Sequence, residues 1–331
     1  MSTTVPVRRD VRALPKAHLH VHLEAALPSA VAEAIARAEG KHVDLPFAYA
    51  DFGAFADDFF ALVALVGRPE MIDGVLDAVA ADAVHDGVLS VELSVLVGWL
   101  PDAFGSLRVG LERITVAAAT AAARHGVRIG IMPTIDRAAP VEAGLDAART
   151  AAEFAGRGVV SFGLAGEERG HPAAPFVGAA DIARAAGLKI TPHAGELADA
   201  ASLRETIDSI APDRILHGIR AVDDPDLLED IVRAGIALDV CPTSNVVLGA
   251  VASMRTHPLR TLLANDVRCS INADDPTLFG VGIADEYENA RVQLGLSDRE
   301  LASCARTSVL EAHLTAPERV AALAAIDDWL R

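Results

Sequence analysis

The chain is poor in cysteine pairs, in basic charge, in long apolar runs and in anything resembling a leader. Cysteine occurs three times in 331 residues, as Cys241, Cys269 and Cys304. This spacing gives neither a CxxC pair nor a dense disulfide framework, so a reducing compartment is expected. The 29 Lys and Arg are outnumbered by 46 Asp and Glu, and the net charge of -17 repels a phosphate backbone or an anionic bilayer. Nucleic-acid polymers and membranes are therefore not expected as partners. No segment reaches the roughly 18 uninterrupted apolar residues of a membrane span, and the start "MSTTVPVRRDVRALPKA" lacks the apolar stretch of a signal peptide. The expectation is a cytoplasmic protein. With 51% hydrophobic and 23% charged residues the composition is that of a globular chain, which excludes disorder.

What the chain does have is alternation. Short β-prone runs, "HLHVHLE" (18 to 24), "VLSVELSV" (88 to 95), "VRIGIMPTI" (127 to 135), "VVSFGLAG" (159 to 166), "LKITPHAG" (188 to 195), "RILHG" (214 to 218), "IALDVCP" (236 to 242) and "VRCSINADD" (267 to 275), are separated by Ala-rich stretches of helical length. Most of these stretches end in Gly, a common helix stop. Eight such strand-helix units predict an α/β fold, a (β/α)8 TIM barrel, spanning residues 1–331 as one domain. A doubly wound open sheet shares the alternation and is the main competitor. Residues 27–84 read as helices inserted after strand 1, and 284–331 as a helical closure.

The chemistry favours the barrel. In "AHLHVHLEAA" alternation puts His18, His20 and His22 on one face, into the barrel. His193 and Glu196 of "HAGE", His217 of "LHG", and Asp274 and Asp275 of "NADDP" all fall at the carboxyl ends of strands, where barrel enzymes assemble their sites. Imidazoles with a carboxylate suit Zn2+. A lone strand histidine is more often packed than ligating, and "DDP" alone reads as a helix N-cap; it is the coincidence at strand ends that points to a metal. His18, one step deeper, reads as a structural hydrogen-bonding group, and His42, His85, His125, His171, His257 and His313 as solvated.

"PKAHLHVHLEA", "GLAGEE", "TPHAGE", "RILHG", "CPTSNV" and "NADDPTLFG", in this order over residues 15–287, resemble the adenosine deaminase family of metal-dependent hydrolases. The resemblance implies a single Zn2+ on His20, His22, His193 and Asp274. It implies that His217 orients and deprotonates the metal-bound water, that Glu196 protonates the purine ring nitrogen beside the carbon attacked, and that Asp275 binds the imidazole side of the purine. Gly166 N–H would meet the other ring and Glu24 a ribose. The implied reaction is hydrolytic deamination of a 6-aminopurine with release of ammonia, adenosine or a related nucleoside first, free adenine or aminodeoxyfutalosine as alternatives.

Three positions depart from the family pattern: Ala25 replaces a usual Gly and adds a methyl where substrate would lie, Ser94 replaces Arg, and Gly163 replaces Asp. They bear on the substrate, not the reaction type. A binuclear amidohydrolase would need a bridging Lys or Glu on strand 4, which "VVSFGLAG" lacks, and a non-catalytic purine-binding relative would have lost Glu196 or His217. The cytidine-type zinc deaminases are excluded by the absence of PCxxC. Phe55, Phe59 and Phe60 read as core first and as a lid over the purine second; Arg137 reads as a substrate contact or a surface ion pair.

Overall fold

A computed structural model describes residues 8–38, 40 and 48–331; His42 lies outside them. Eight strands, β1 (Lys16–His22), β2 (Val88–Leu96), β3 (Arg128–Asp136), β4 (Ser161–Ala165), β5 (Lys189–Ala194), β6 (Arg214–His217), β7 (Ala237–Val240) and β8 (Cys269–Ile271), pair in sequence order. Every pairing is parallel. The fold is the expected (β/α)8 barrel and not an open sheet. The seam between β8 and β1 closes through backbone just past β8: His22 N donates to Asp274 O at 2.9 Å, and Asp274 N to His20 O at 3.1 Å.

The helices follow the sequence signals that predict them. Gly126 and Gly235 end the Leu107–His125 and Pro225–Ala234 helices in left-handed geometry, which glycine adopts without a Cβ clash. The stretch after β1 holds α1 (Ser29–Ala38), α2 (Phe52–Val66) and α3 (Ile72–His85). Of these, α3 packs on β2 and on the Leu107–His125 helix as an ordinary barrel helix. In the C-terminal stretch the Asp298–Glu311 helix lies on β8 and β1 and covers the seam.

The barrel floor is polar. Glu92, Ser161, Arg214 and Ser270 come from β2, β4, β6 and β8, the alternate strands that contribute one layer of side chains in such a barrel. Arg214 donates to Glu92 Oε1 and Asp239 Oδ2, both at 2.8 Å, Ser161 Oγ to Glu92 at 2.5 Å, and Ser270 Oγ to Asp239 at 2.6 Å. Burial works against the Arg214 charge, but Asp239 and Glu92 outweigh it and hold its pKa above its ordinary value. From Ser270 the network climbs through Asn272, whose Oδ1 accepts Leu19 N–H at 2.7 Å and His20 N–H at 3.2 Å. The floor is thus tied to the strand that carries the histidines.

Strict alternation fails in β1. Its register against β2 breaks between His18 and Val21. His18 lines a small cavity with Val21, Val79, Asp82 and Ala83, apart from His20 and His22. This corrects the expectation that all three share a face. The role expected of His18 is seen: its Nε2 accepts the Ala273 N–H at 3.1 Å, next to Asp274, and burial keeps it neutral with a pKa down at about 3.

Candidate active site and metal centre

Four potential ligand atoms converge at the mouth of the barrel. His20 Nε2 lies 3.1 Å from His193 Nε2 and 2.9 Å from Asp274 Oδ1; His22 Nε2 lies 3.2 Å and 3.3 Å from the same two atoms. A tetrahedron with zinc-ligand bonds of 2.0–2.1 Å has edges of about 3.3 Å. The hydrogen bonds behind the ring add a second argument. His20 Nδ1 meets Asp239 O at 3.2 Å and His193 Nδ1 meets Leu164 O at 3.0 Å. A carbonyl only accepts, so both rings carry a proton on Nδ1, and as neutral rings they would turn bare Nε2 lone pairs toward each other. Two lone pairs 3.1 Å apart form no hydrogen bond, and a cation between them removes the conflict. The donor set fits a divalent metal.

A second grouping of potential ligands joins His20, His193 and Asp274 to His217 instead of His22, and another joins His22 to Asp274 and Asp275. The shorter distances favour His22 over His217, whose Nε2 is 3.7 Å from Asp274 Oδ2. Ser244 Oγ holds that Oδ2 at 2.6 Å and so turns Oδ1 toward the imidazoles. Asp274 and His217 have left-handed φ of 62° and 68°, a conformation that costs about 1–3 kcal/mol and gathers at functional sites.

Glu196 stands beside this cluster, its Oε2 3.4 Å from His217 Nε2 and its buried Oε1 without a hydrogen-bond partner. Burial, then Asp274, Glu168 and Asp275, hold its pKa well above the carboxylate range, so it keeps its proton. The Gly195–Ala198 backbone is fixed by one side chain, since the Glu168 carboxylate accepts the N–H groups of Gly195, Glu196, Leu197 and Ala198 at 2.7–3.1 Å. Arg137 is neither a substrate contact nor a surface ion pair: it is buried and donates to His193 O at 2.5 Å and His171 O at 3.0 Å. Asp275 precedes the short Pro276–Phe279 helix, yet its side chain makes no cap bond and its buried Oδ1 has no partner. Asp275 thus stands at the N-cap position but does not cap through its side chain, which lines the cavity instead.

A cavity of about 130 Å³ opens above these groups. His22, His193, Glu196, His217, Asp274, Asp275 and Gly166 form its polar end, and Phe52, Phe55, Phe59, Phe60, Leu96 and Leu248 its walls. Phe55 and Phe59 are buried in the core and also face the cavity, while Phe60 is half exposed. Phe59 meets the His22 ring edge-on at 6.0 Å. At Gly166, with φ of 96°, a Cβ would lie 2.5 Å from Asp136 Oδ1, so backbone alone fits there.

Other expected contacts lie elsewhere. Glu24 is not on the lining; its Oε1 accepts from Leu96 N and Trp99 Nε1, both at 2.8 Å, and its Oε2 has no partner. The Ala25 methyl is in the hydrophobic core and not in the substrate space. Ser94 and Gly163 flank one residue, Thr134: Ser94 Oγ bonds its Oγ1 at 2.7 Å, and a Cβ at 163 would lie 2.6 Å from it. His257, expected to be solvated, is buried. Glu168, Ser244, Asn245 and His257 were not singled out as site residues by the sequence.

The adenosine deaminase family profile matches residues 15–329. The chain belongs to the adenosine deaminase family. It is 37% identical to a putative adenosine/adenine deaminase of Streptomyces coelicolor, over 97% of this chain and 98% of that one. It is 35% identical to an adenine deaminase of Sinorhizobium medicae, over 95% and 98%. Among solved structures it superposes on the adenine deaminase from Arthrobacter aurescens with a TM-score of 0.85 at 27% identity, over 96% of this chain and 99% of that one. As a member of the adenosine deaminase family the chain is a hydrolytic deaminase of a metal-dependent type. Among the described residues no helix is long and apolar enough to cross a membrane.

Proposed function

We propose that this deaminase converts a free 6-aminopurine, adenine, to the 6-oxopurine and ammonia, with one zinc ion held by His20, His22, His193 and Asp274. The observation that carries the substrate reading is the cavity. Its polar groups are those of the metal cluster, Glu196, His217, Asp275 and Asp136, and the rest of its lining is mainly phenylalanine and leucine. Glu24, the group expected to receive a ribose, is spent on Leu96 and Trp99. A volume of about 130 Å³ suits a bare ring system better than a ring with a sugar, since pockets for larger ligands run to ~300–1,000 Å³. This reverses the order the sequence suggested. The names of the Sinorhizobium and Arthrobacter relatives agree with it.

Zinc, when bound, lowers the pKa of water to about 7 and so supplies a hydroxide-like nucleophile at neutral pH. The chain's own groups do the rest. Addition of oxygen at C6 pushes an electron pair onto the adjacent ring nitrogen, and Glu196, which keeps its proton, delivers it there. The Glu196 carboxylate left behind takes the proton of the added hydroxyl and passes it to the amino group, so that the tetrahedral carbon expels ammonia as its C=O forms. Asp275, with a free oxygen in the cavity, binds the purine's five-membered ring, and Gly166 N–H the six-membered ring. The aromatic wall excludes bulk water and stacks on a flat substrate.

Two measurements test this reading. Ammonia release should rank adenine first by kcat/KM, about 100-fold or more above adenosine, deoxyadenosine, aminodeoxyfutalosine and S-adenosylhomocysteine; adenosine in first place would overturn the cavity argument. Elemental analysis should find one zinc per chain. His22→Ala should lose more than the ~10–100-fold in metal affinity that removal of a supporting partner costs, while His217→Ala keeps its metal. The opposite pattern would assign the fourth ligand position to His217, and two zinc ions per chain would favour a binuclear site.

A further inference from the structure

We infer that Asn245 and His257 are positioning residues that fix His217 in the tautomer with its proton on Nε2, so that His217 holds the attacking oxygen as a hydrogen-bond donor and does not deprotonate it. The Leu259 backbone N–H, which can only donate, reaches His257 Nδ1 at 3.2 Å. His257 is buried, and burial brings its pKa down to about 4, so its single proton sits on Nε2. That Nε2 lies 3.2 Å from Asn245 Oδ1, which fixes the orientation of the amide. Asn245 Nδ2 is left to donate to His217 Nδ1 at 3.1 Å.

Each step leaves one choice for the next. An Nδ1 that accepts is bare, so His217 is neither the other tautomer nor an imidazolium. Its hydrogen is on Nε2, which faces Glu196 Oε2 at 3.4 Å and Asp274 Oδ2 at 3.7 Å. A nitrogen that already carries a hydrogen cannot take another from water, and the opposite nitrogen is closed by the amide. The three residues come from separate places: the end of β6, the Pro242–Val247 helix, and the residue after the Met254–Thr256 turn. Neither Asn245 nor His257 lines the cavity, so both act through His217. Of the two roles the family resemblance implies for this histidine, orientation stands and proton removal does not.

The tautomer is read without substrate, so this inference and the proposed adenine specificity can fail separately; only the kinetic arm rests on deamination. The metal-loaded full chain, labelled with 15N-histidine, should give a long-range proton–nitrogen correlation in which His217 Nδ1 has the shift of a bare nitrogen and Nε2 that of a protonated one, assigned by its loss in His217→Gln. Asn245→Asp keeps the shape but presents only acceptors. It should move the proton to Nδ1 and lower kcat by ~10–100-fold with KM within about threefold. His257→Gln, whose amide N–H replaces the imidazole N–H, should keep the tautomer and most of the turnover. A wild-type spectrum with Nδ1 protonated overturns the inference, and needs no variant to fold. So does an Asn245→Asp protein whose His217 tautomer is unchanged, or whose kcat is unchanged after the tautomer has moved.

Discussion

Glu196→Gln should bind zinc as tightly as the wild type and lose about 10²–10⁴-fold in kcat. The side chains match in size, and Glu196 is not one of the four atoms that frame the metal position, so cavity and metal persist. What disappears is an acid able to give up a proton and take it back. Its pKa is held high because a carboxylate there would be buried beside Asp274, Glu168 and Asp275. The sign for activity follows. The protonated form is the working one, so Glu196 should set the basic limb of the profile, with wild-type turnover falling about tenfold per pH unit above the raised pKa. The residual activity of the glutamine variant should lack that basic limb. Stopped assays of ammonia release across pH, with metal content measured on the same samples, check both halves. Turnover within a few-fold of wild type would remove Glu196 from the acid role.

The same residue shows how far the sequence could be read. "HAGE" at the end of a β-prone run places Glu196 at the barrel mouth, because strand ends and the carboxyl face of a barrel coincide. It does not show what holds the loop. Glu168 is the second carboxylate of "GEE" and looks like a solvated charge; only the fold brings four backbone N–H groups of the next loop onto it. His257 is the same kind of case. A histidine before Pro258 reads as surface, and its value arises from Asn245, 3.2 Å away across a turn. His20 and His22 were legible since period-two spacing is local. His18 was misplaced since a register break is set by neighbouring strands, not by its own. Ala25 and Glu24 follow the last strand residue in a tight turn, where no periodicity says which way a side chain points. Patterned elements reveal their faces in sequence, whereas loop side chains take their direction from tertiary contacts.

Arg214→Met should destabilise the metal-loaded protein by about 3–5 kcal/mol, the largest stability effect expected of a single change away from the metal. Arg214 is fully buried, and its guanidinium is the common partner of Glu92 and Asp239. Methionine fills most of the volume but leaves two buried carboxylates facing each other across the barrel axis with only Ser161 and Ser270 to bond them. The loss is thus one of uncompensated charge more than of packing. That distinction has its own control. Replacing Glu92, Arg214 and Asp239 together with Met, Leu and Leu removes the charges as a set, and should recover much of the deficit, because a buried ion cluster repays little more than its own desolvation. Urea unfolding at fixed, saturating zinc separates the outcomes, since bound metal adds its own stabilisation to every variant. A single-variant cost under about 1 kcal/mol would mean that water or a shifted side chain already satisfies the floor. The network would then not be what holds Asn272, and through it His20, in line with the site above.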